Sequence, residues 1–174
     1  NSGQGTMVLG TAEGGLVITL YMVNNLTDKM LTDYATVNDY YFHTMHHEFT
    51  HILNQKIPYD ENFQHISEGN YVSGDWYQKR TSAANKKGFV TPYAMSEPLE
   101  DFAEMLSVYV TTSPSGWQKI MDTAGTTGAP FIQAKLDMVR AYMKNSWKLD
   151  IDELRSIVLR RASEINHLDL NQLK

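Results

Sequence analysis

The chain has 174 residues, a hydrophobic fraction of 42%, a formal net charge of -5 and a pI near 5.6. That length and apolar content suit one domain with a real core, and the acidic balance argues against a nucleic-acid surface. The absence of cysteine removes disulfides, thiolate-bound zinc and thiol catalysis together, so any metal must be held by His and carboxylates.

The sequence opens at Asn1, not at Met, and carries no signal-peptide pattern. It is read as a mature or trimmed fragment, with any targeting or lipidation segment lying upstream. Asn1–Gly5 is a loose, polar start. Thr6–Thr11 and Leu16–Val23 are apolar and β-branched, and Glu13-Gly14-Gly15 between them is turn chemistry. A hairpin or two adjacent strands follows. The second run is nearly all apolar, which predicts a strand covered on both faces. Asn24–Asp33 reads as a loop.

From Thr36 to Asn54 the pattern is helical. Val37, Tyr41, Met45, Phe49 and Ile52 are expected to face the core. Tyr40, Thr44, His47 and His51 lie on a neighbouring stripe, and Lys56-Ile57-Pro58 ends the helix. Pro58–Pro92 is polar, aromatic and rich in Asn and Gly. Turns or short strands are expected around Gly69-Asn70 and Ser73-Gly74, with the whole segment forming one wall of a cleft. Ser96 is the expected N-cap of a helix running to Val110, with Leu99, Phe102, Ala103, Leu106 and Val110 inward. Thr111–Gly116 breaks the helix. A short helix over Trp117–Thr123, a loop over Gly125–Pro130, a helix over Phe131–Trp147 and a last helix from Asp150 to Ile165 complete the prediction.

The chemistry centres on His47-Glu48-Phe49-Thr50-His51, an H-E-x-x-H pentapeptide within the first long helix. A four-residue spacing sets His47 and His51 one turn apart on one face, where both imidazoles can bind one metal ion. Glu48 beside them can take a proton from water at the metal. A hydrolytic zinc site usually has three protein ligands. The extended H-E-x-x-H-x-x-G-x-x-H pattern puts its glycine on Asn54 and its third histidine on Ile57, so it does not apply. The third ligand must be distant. Glu100 and Glu104 are one turn apart in Glu97–Glu104. Glu100 could bind the metal while Glu104 accepts the outer N–H of a ligating histidine.

His47-Glu48-Phe49-Thr50-His51 followed by Glu100-Asp101-Phe102-Ala103-Glu104 resembles the gluzincin pattern. The run Tyr93–Glu104 is similar to the corresponding stretch of the catalytic domain of anthrax lethal factor. The chain as a whole resembles the zinc-binding metallopeptidase lipoproteins of Bacteroidetes that accompany outer-membrane nutrient importers. The resemblance implies an α+β, mainly helical, zincin-like fold over 1–174, with a small N-terminal sheet or hairpin and two active-site helices. It implies one Zn2+ held by His47, His51 and Glu100, with Glu48 as general base. Tyr93, seven residues before Glu100, would donate to the oxyanion. It also implies a peptide or protein substrate, an importer as partner, and an extracytoplasmic location, periplasmic or on the cell surface as a lipoprotein.

Other readings of single residues stay open. His43 and His47 share the same spacing and could form a shifted pair. His65 and Glu68 suit a surface turn. Glu97 and Asp101 are explained as helix-start carboxylates. Other divalent ions suit the same donors. The domain as a whole could be a catalytically inactive module that binds a peptide or glycan in a nutrient-uptake system.

Overall fold

The computed structural model describes residues 7–164. The features expected at Thr6, at Ile165 and for the Tyr40 side chain lie outside the described residues. Gly14 and Gly15 close a hairpin with φ of 59° and 66°, a left-handed pair that side chains resist. The hairpin joins β1 (Gly10–Glu13) to β2 (Val17–Leu20), antiparallel, with Gly10 opposite Leu20 and Glu13 opposite Val17. Both strands are shorter than the apolar runs predict. The second is not covered on both faces: Leu16 is 79% and Val17 53% exposed. A continuous apolar run marks a strand but does not say how many layers will cover it.

The expected loop over Asn24–Asp33 contains α1 (Asp28–Leu31), capped by the Thr27 hydroxyl, which accepts from the Met30 N–H at 3.4 Å. Asp33 caps α2 (Tyr34–Val37). A π turn over Asn38–Phe42 then leads into α3 (His43–Lys56). The hairpin lies on α3. Gln55 in its last turn accepts from the Gly15 N–H at 2.5 Å and fixes the hairpin turn there.

The expected core stripe on α3 is wrong. Val37 is buried, but Phe49 is 42% exposed and Met45 and Ile52 are only half-buried. Steps of four residues advance 400°, so such a row drifts away from the buried face. The buried face is the polar one: Thr44, His47, Glu48, Thr50, His51 and Asn54, with Leu53 beside them. The side that carries His47 and His51 and the packing side are therefore one side.

Pro58–Pro92 forms helices and turns, and no strand. It holds α4 (Asn62–His65), a 3-10 run over Ser73–Gln78 and α5 (Thr81–Lys86). A 3-10 turn over Tyr93–Met95 precedes α6 (Pro98–Thr111). Ser96 is not the N-cap. Its hydroxyl donates to the Tyr93 carbonyl at 2.7 Å, Glu97 takes the cap position, and Pro98 opens the helix where its missing N–H costs nothing. From Asp101 to Thr111 every residue of α6 is buried, which places this helix at the centre of the molecule. Leu99, expected inward, is 41% exposed at its open end.

The short helix, loop and long helix expected after residue 116 form α7 (Pro114–Trp147), interrupted at Gly125 alone, where φ is 62°. The chain kinks there and needs no loop. α8 (Ile151–Glu164) starts on Asp150, whose Oδ1 accepts from the N–H groups of Asp152 and Glu153 at 2.8 and 3.2 Å. α7 and α8 both pack on α6.

Asp101 is not a solvated helix-start carboxylate. It is fully buried and meets the equally buried Lys135 of α7, with Nζ 2.6 Å from Oδ2. Tyr71 donates to the same oxygen at 2.9 Å, and Lys135 donates to the Gly88 carbonyl at 2.8 Å. This cluster pins the helix that carries Glu100 and Glu104 to the body of the fold.

Candidate metal centre

α3 and α6 lie side by side, and their facing polar residues meet. His47 Nε2 is 2.8 Å from Glu100 Oε2, His51 Nε2 is 3.3 Å from the same oxygen, and the two Nε2 atoms are 3.0 Å apart. Donor atoms held tetrahedrally at roughly 2.0–2.2 Å from one zinc ion lie about 3.3 Å from each other. The three donors thus fit one such ion, and their chemistry suits it. His47, His51 and Glu100 form one group able to hold a metal; His43, His47 and Glu104 form a second. His47 belongs to both, through different nitrogens.

Glu104 sits behind His47, accepting at Oε1 from Nδ1 at 2.8 Å. That contact fixes the ring and directs Nε2 towards His51 and Glu100. His43 Nε2 comes within 2.9 Å of the same oxygen, off the line of a hydrogen bond. Glu104 Oε2 accepts from the Thr91 hydroxyl at 2.5 Å, and Thr91 Oγ1 accepts from the Ala94 N–H at 3.1 Å. Thr91 thereby ties the loop bearing Tyr93 to the buried carboxylate. Nothing in the sequence singled out Thr91, because one threonine before a proline has no distinctive pattern.

Burial works against every charge here, and the pairing decides the outcome. Burial pushes His47 down, but its hydrogen bonds to Glu100 and Glu104 outweigh that and hold it up at about 10. Burial pushes Glu100 up, yet His47 and His51 bring it down to about 2. Glu104 is likewise raised by burial and held well below the usual carboxylate range by His43 and His47. Glu48 has no such partner among the described residues: burial raises it above the usual value, with His47 and His51 opposing. A carboxylate shifted upward is better suited to take and return a proton near neutral pH.

A cleft of about 480 Å³ opens over these residues. Its walls include Gly10 and Ala12 of β1, Glu48 and Asn54 of α3, and Tyr93, Leu99 and Glu100. A second hollow of about 270 Å³ adjoins it across Gly10, Glu48 and Tyr93, with Trp76 on its far wall. Pro58–Pro92, expected to form one wall of the cleft, contributes no residue to the main cleft and only Trp76 to the second hollow. The Tyr93 ring lies 5.7 Å from the His47 ring and 4.9 Å from Trp76. Burial and then the nearby Glu100 raise its hydroxyl pKa, so it stays a proton donor. His65 and Glu68 pair only with each other at 3.0 Å on the surface, as a turn pair should.

The sequence also gave no sign of Gly10. A Cβ there would lie 2.6 Å from Glu48 Cγ and 2.7 Å from Thr44 Cγ2. β1 passes over Glu48 that closely only because the residue is glycine. Gly10→Ala should displace the Glu48 carboxylate and lower kcat/KM by roughly 10- to 100-fold, since misplacement of about 1 Å can cost that much. Bound zinc, measured by metal analysis, should be unchanged.

Two facing helices bring together a His–His–Glu group that could hold a metal ion, beside a carboxylate without a partner among the described residues, on an open cleft; this is the arrangement a zinc-dependent hydrolase requires. Residues 1–152 match the family described as putative zinc-binding metallo-peptidase, and the chain belongs to that family. A crystal structure of a putative zinc-binding metallo-peptidase from Bacteroides caccae superimposes with a TM-score of 0.84 at 46% identity, over 100% of this chain and 66% of that one. The chain thus spans just under two thirds of that neighbour's length. No curated protein matches it significantly.

Proposed function

We propose that this protein is a zinc-dependent peptidase that cleaves peptide bonds by attack of water. The observation that carries the reading is the convergence of His47 Nε2, His51 Nε2 and Glu100 Oε2 on the wall of an open cleft, with Glu48 beside them and outside the donor group. His47, His51 and Glu100 would hold the ion. An ion held there supplies Lewis acidity, making water nucleophilic near neutral pH and polarising the scissile carbonyl. Glu48 accepts the proton of the attacking water and delivers it to the leaving amine. Tyr93 donates its O–H to the oxygen on which negative charge develops. Glu104 keeps His47 in the tautomer that presents Nε2.

The proposal extends, on the sequence resemblance, to a site of action outside the cytoplasm. The protein would work as a lipoprotein beside an outer-membrane nutrient importer, tethered by lipid attached upstream of Asn1. The peptidase reading is tested with a mixed peptide library. Cleavage should stop on addition of a chelator and return with zinc. Cleavage that ignores the chelator would sink the zinc-dependent mechanism. Tight binding of peptide or glycan without any turnover would identify the inactive binding module instead.

A further inference from the structure

Asn54 lies on α3 one turn beyond His51, at the position where the extended metal-binding pattern would require glycine. It is 8% exposed, and neither Oδ1 nor Nδ2 has a hydrogen-bond partner among the described residues. A buried carboxamide without partners destabilises the free protein, so it invites a ligand that satisfies both atoms. Asn54 lines the cleft over the metal donors. It also lines a separate hollow of about 360 Å³ formed with Tyr59, Glu61, Gln64 and Leu99. Asn54 and Leu99 are shared by the two spaces and form the sill between them.

We infer that Asn54 is a substrate-binding residue that holds the backbone of an extended peptide. The inference rests on the peptidase reading and specifies how that site grips its substrate. An extended chain presents the N–H and C=O of one residue along the same edge, as a strand does to its neighbour. A carboxamide carries the matching acceptor and donor. Asn54 therefore takes the N–H of one substrate residue at Oδ1 and its C=O at Nδ2. One helical turn is about 5.4 Å and one extended residue about 3.3 Å, so this residue lies within about two positions of the scissile bond. Its side chain, or that of its neighbour, enters the hollow beside Glu61, across the sill formed with Leu99.

The test uses the zinc-loaded protein, the Asn54→Leu variant and a set of cleaved peptides in which each backbone N–H in turn is replaced by an ester oxygen. One ester position should lower the wild-type kcat/KM by roughly 10- to 100-fold and leave that of Asn54→Leu unchanged, because the bond is already lost there. Zinc affinity should match the wild type. The Tm should be equal or higher, since Leu removes an unsatisfied buried amide, whereas a structural role for Asn54 would lower it. Ester effects of equal size in both proteins would overturn the inference. Should the wild type cleave nothing, the peptidase reading fails by itself. Binding of the same peptides is then measured directly: binding weakened in Asn54→Leu at one ester-sensitive position upholds the role of Asn54, and equal binding, or none by the wild type, refutes it.

Discussion

Glu48→Gln should keep one zinc ion per chain and lose turnover by roughly 10²- to 10⁴-fold, the usual contribution of a positioned acid–base group. The substitution keeps the shape and removes only the ability to accept a proton. Glu48 is not among the donors His47, His51 and Glu100, so metal content and folding should be untouched. Its carboxylate lines both the main cleft and the hollow next to it, so it can reach a water on either side of a bound carbonyl. Burial raises its pKa, and Gln, which is neutral, carries no such penalty; the variant should be at least as stable as the wild type. The checks are kcat/KM on a cleaved peptide, zinc by metal analysis and Tm. Turnover within tenfold of the wild type would remove Glu48 from the mechanism.

The largest expected loss of stability lies at Lys135. Lys135→Met leaves Asp101 fully buried, without its cation and supported by Tyr71 alone among the described residues, which should cost about 3–5 kcal/mol at neutral pH, as an uncompensated charge or as a proton taken up. Burial pushes Asp101 up to about 6 and Lys135 down, each against the attraction of its partner. Without Lys135 the Asp101 value rises further. A carboxyl raised above its unfolded value favours folding at low pH and opposes it once it ionises. The deficit of the variant relative to wild type should therefore shrink as pH falls from about 8 to about 5. Urea unfolding across that range measures it. The double replacement Asp101→Leu with Lys135→Met should recover much of the loss, because no charge is then left unpaired. A Lys135→Met protein as stable as the wild type would show that the pair does not hold α6. Glu100 and Glu104 ride on that helix, so a loosened α6 should also weaken zinc binding.

His47, Glu48 and His51 could be found in the sequence because a short helix imposes its own geometry: four residues are one turn, whatever surrounds them. Glu100 and Glu104 were legible for the same reason once a second helix was placed under them, and the capping of α8 by Asp150 is equally local. The N-terminal hairpin, the two helices that carry the motifs and the last helix followed from turn glycines and apolar periodicity; the short helices between them did not. Where the reading failed, the decisive contact came from elsewhere in the chain. The packing face of α3 was misjudged because apolar periodicity assumes an apolar buried side, and here the buried side is the polar one that carries His47, Glu48 and His51. Asp101 looked like a solvated residue of a first helical turn until α7 brought Lys135 against it.

By itself, then, the sequence determined the chemistry within single helices: which histidines share a face, which glutamate stands beside them, and which carboxylates recur one turn apart. Only the tertiary structure decided what those residues meet. It sets Glu100 within 3.3 Å of both histidines and Glu104 behind His47. It brings Gly10 over Glu48 and leaves the amide of Asn54 without a partner among the described residues. The physical reason is range. Helical spacing acts over a few residues, whereas these contacts join positions 30 to 60 residues apart, and their distances are set by how the helices and the hairpin pack, which no local pattern encodes.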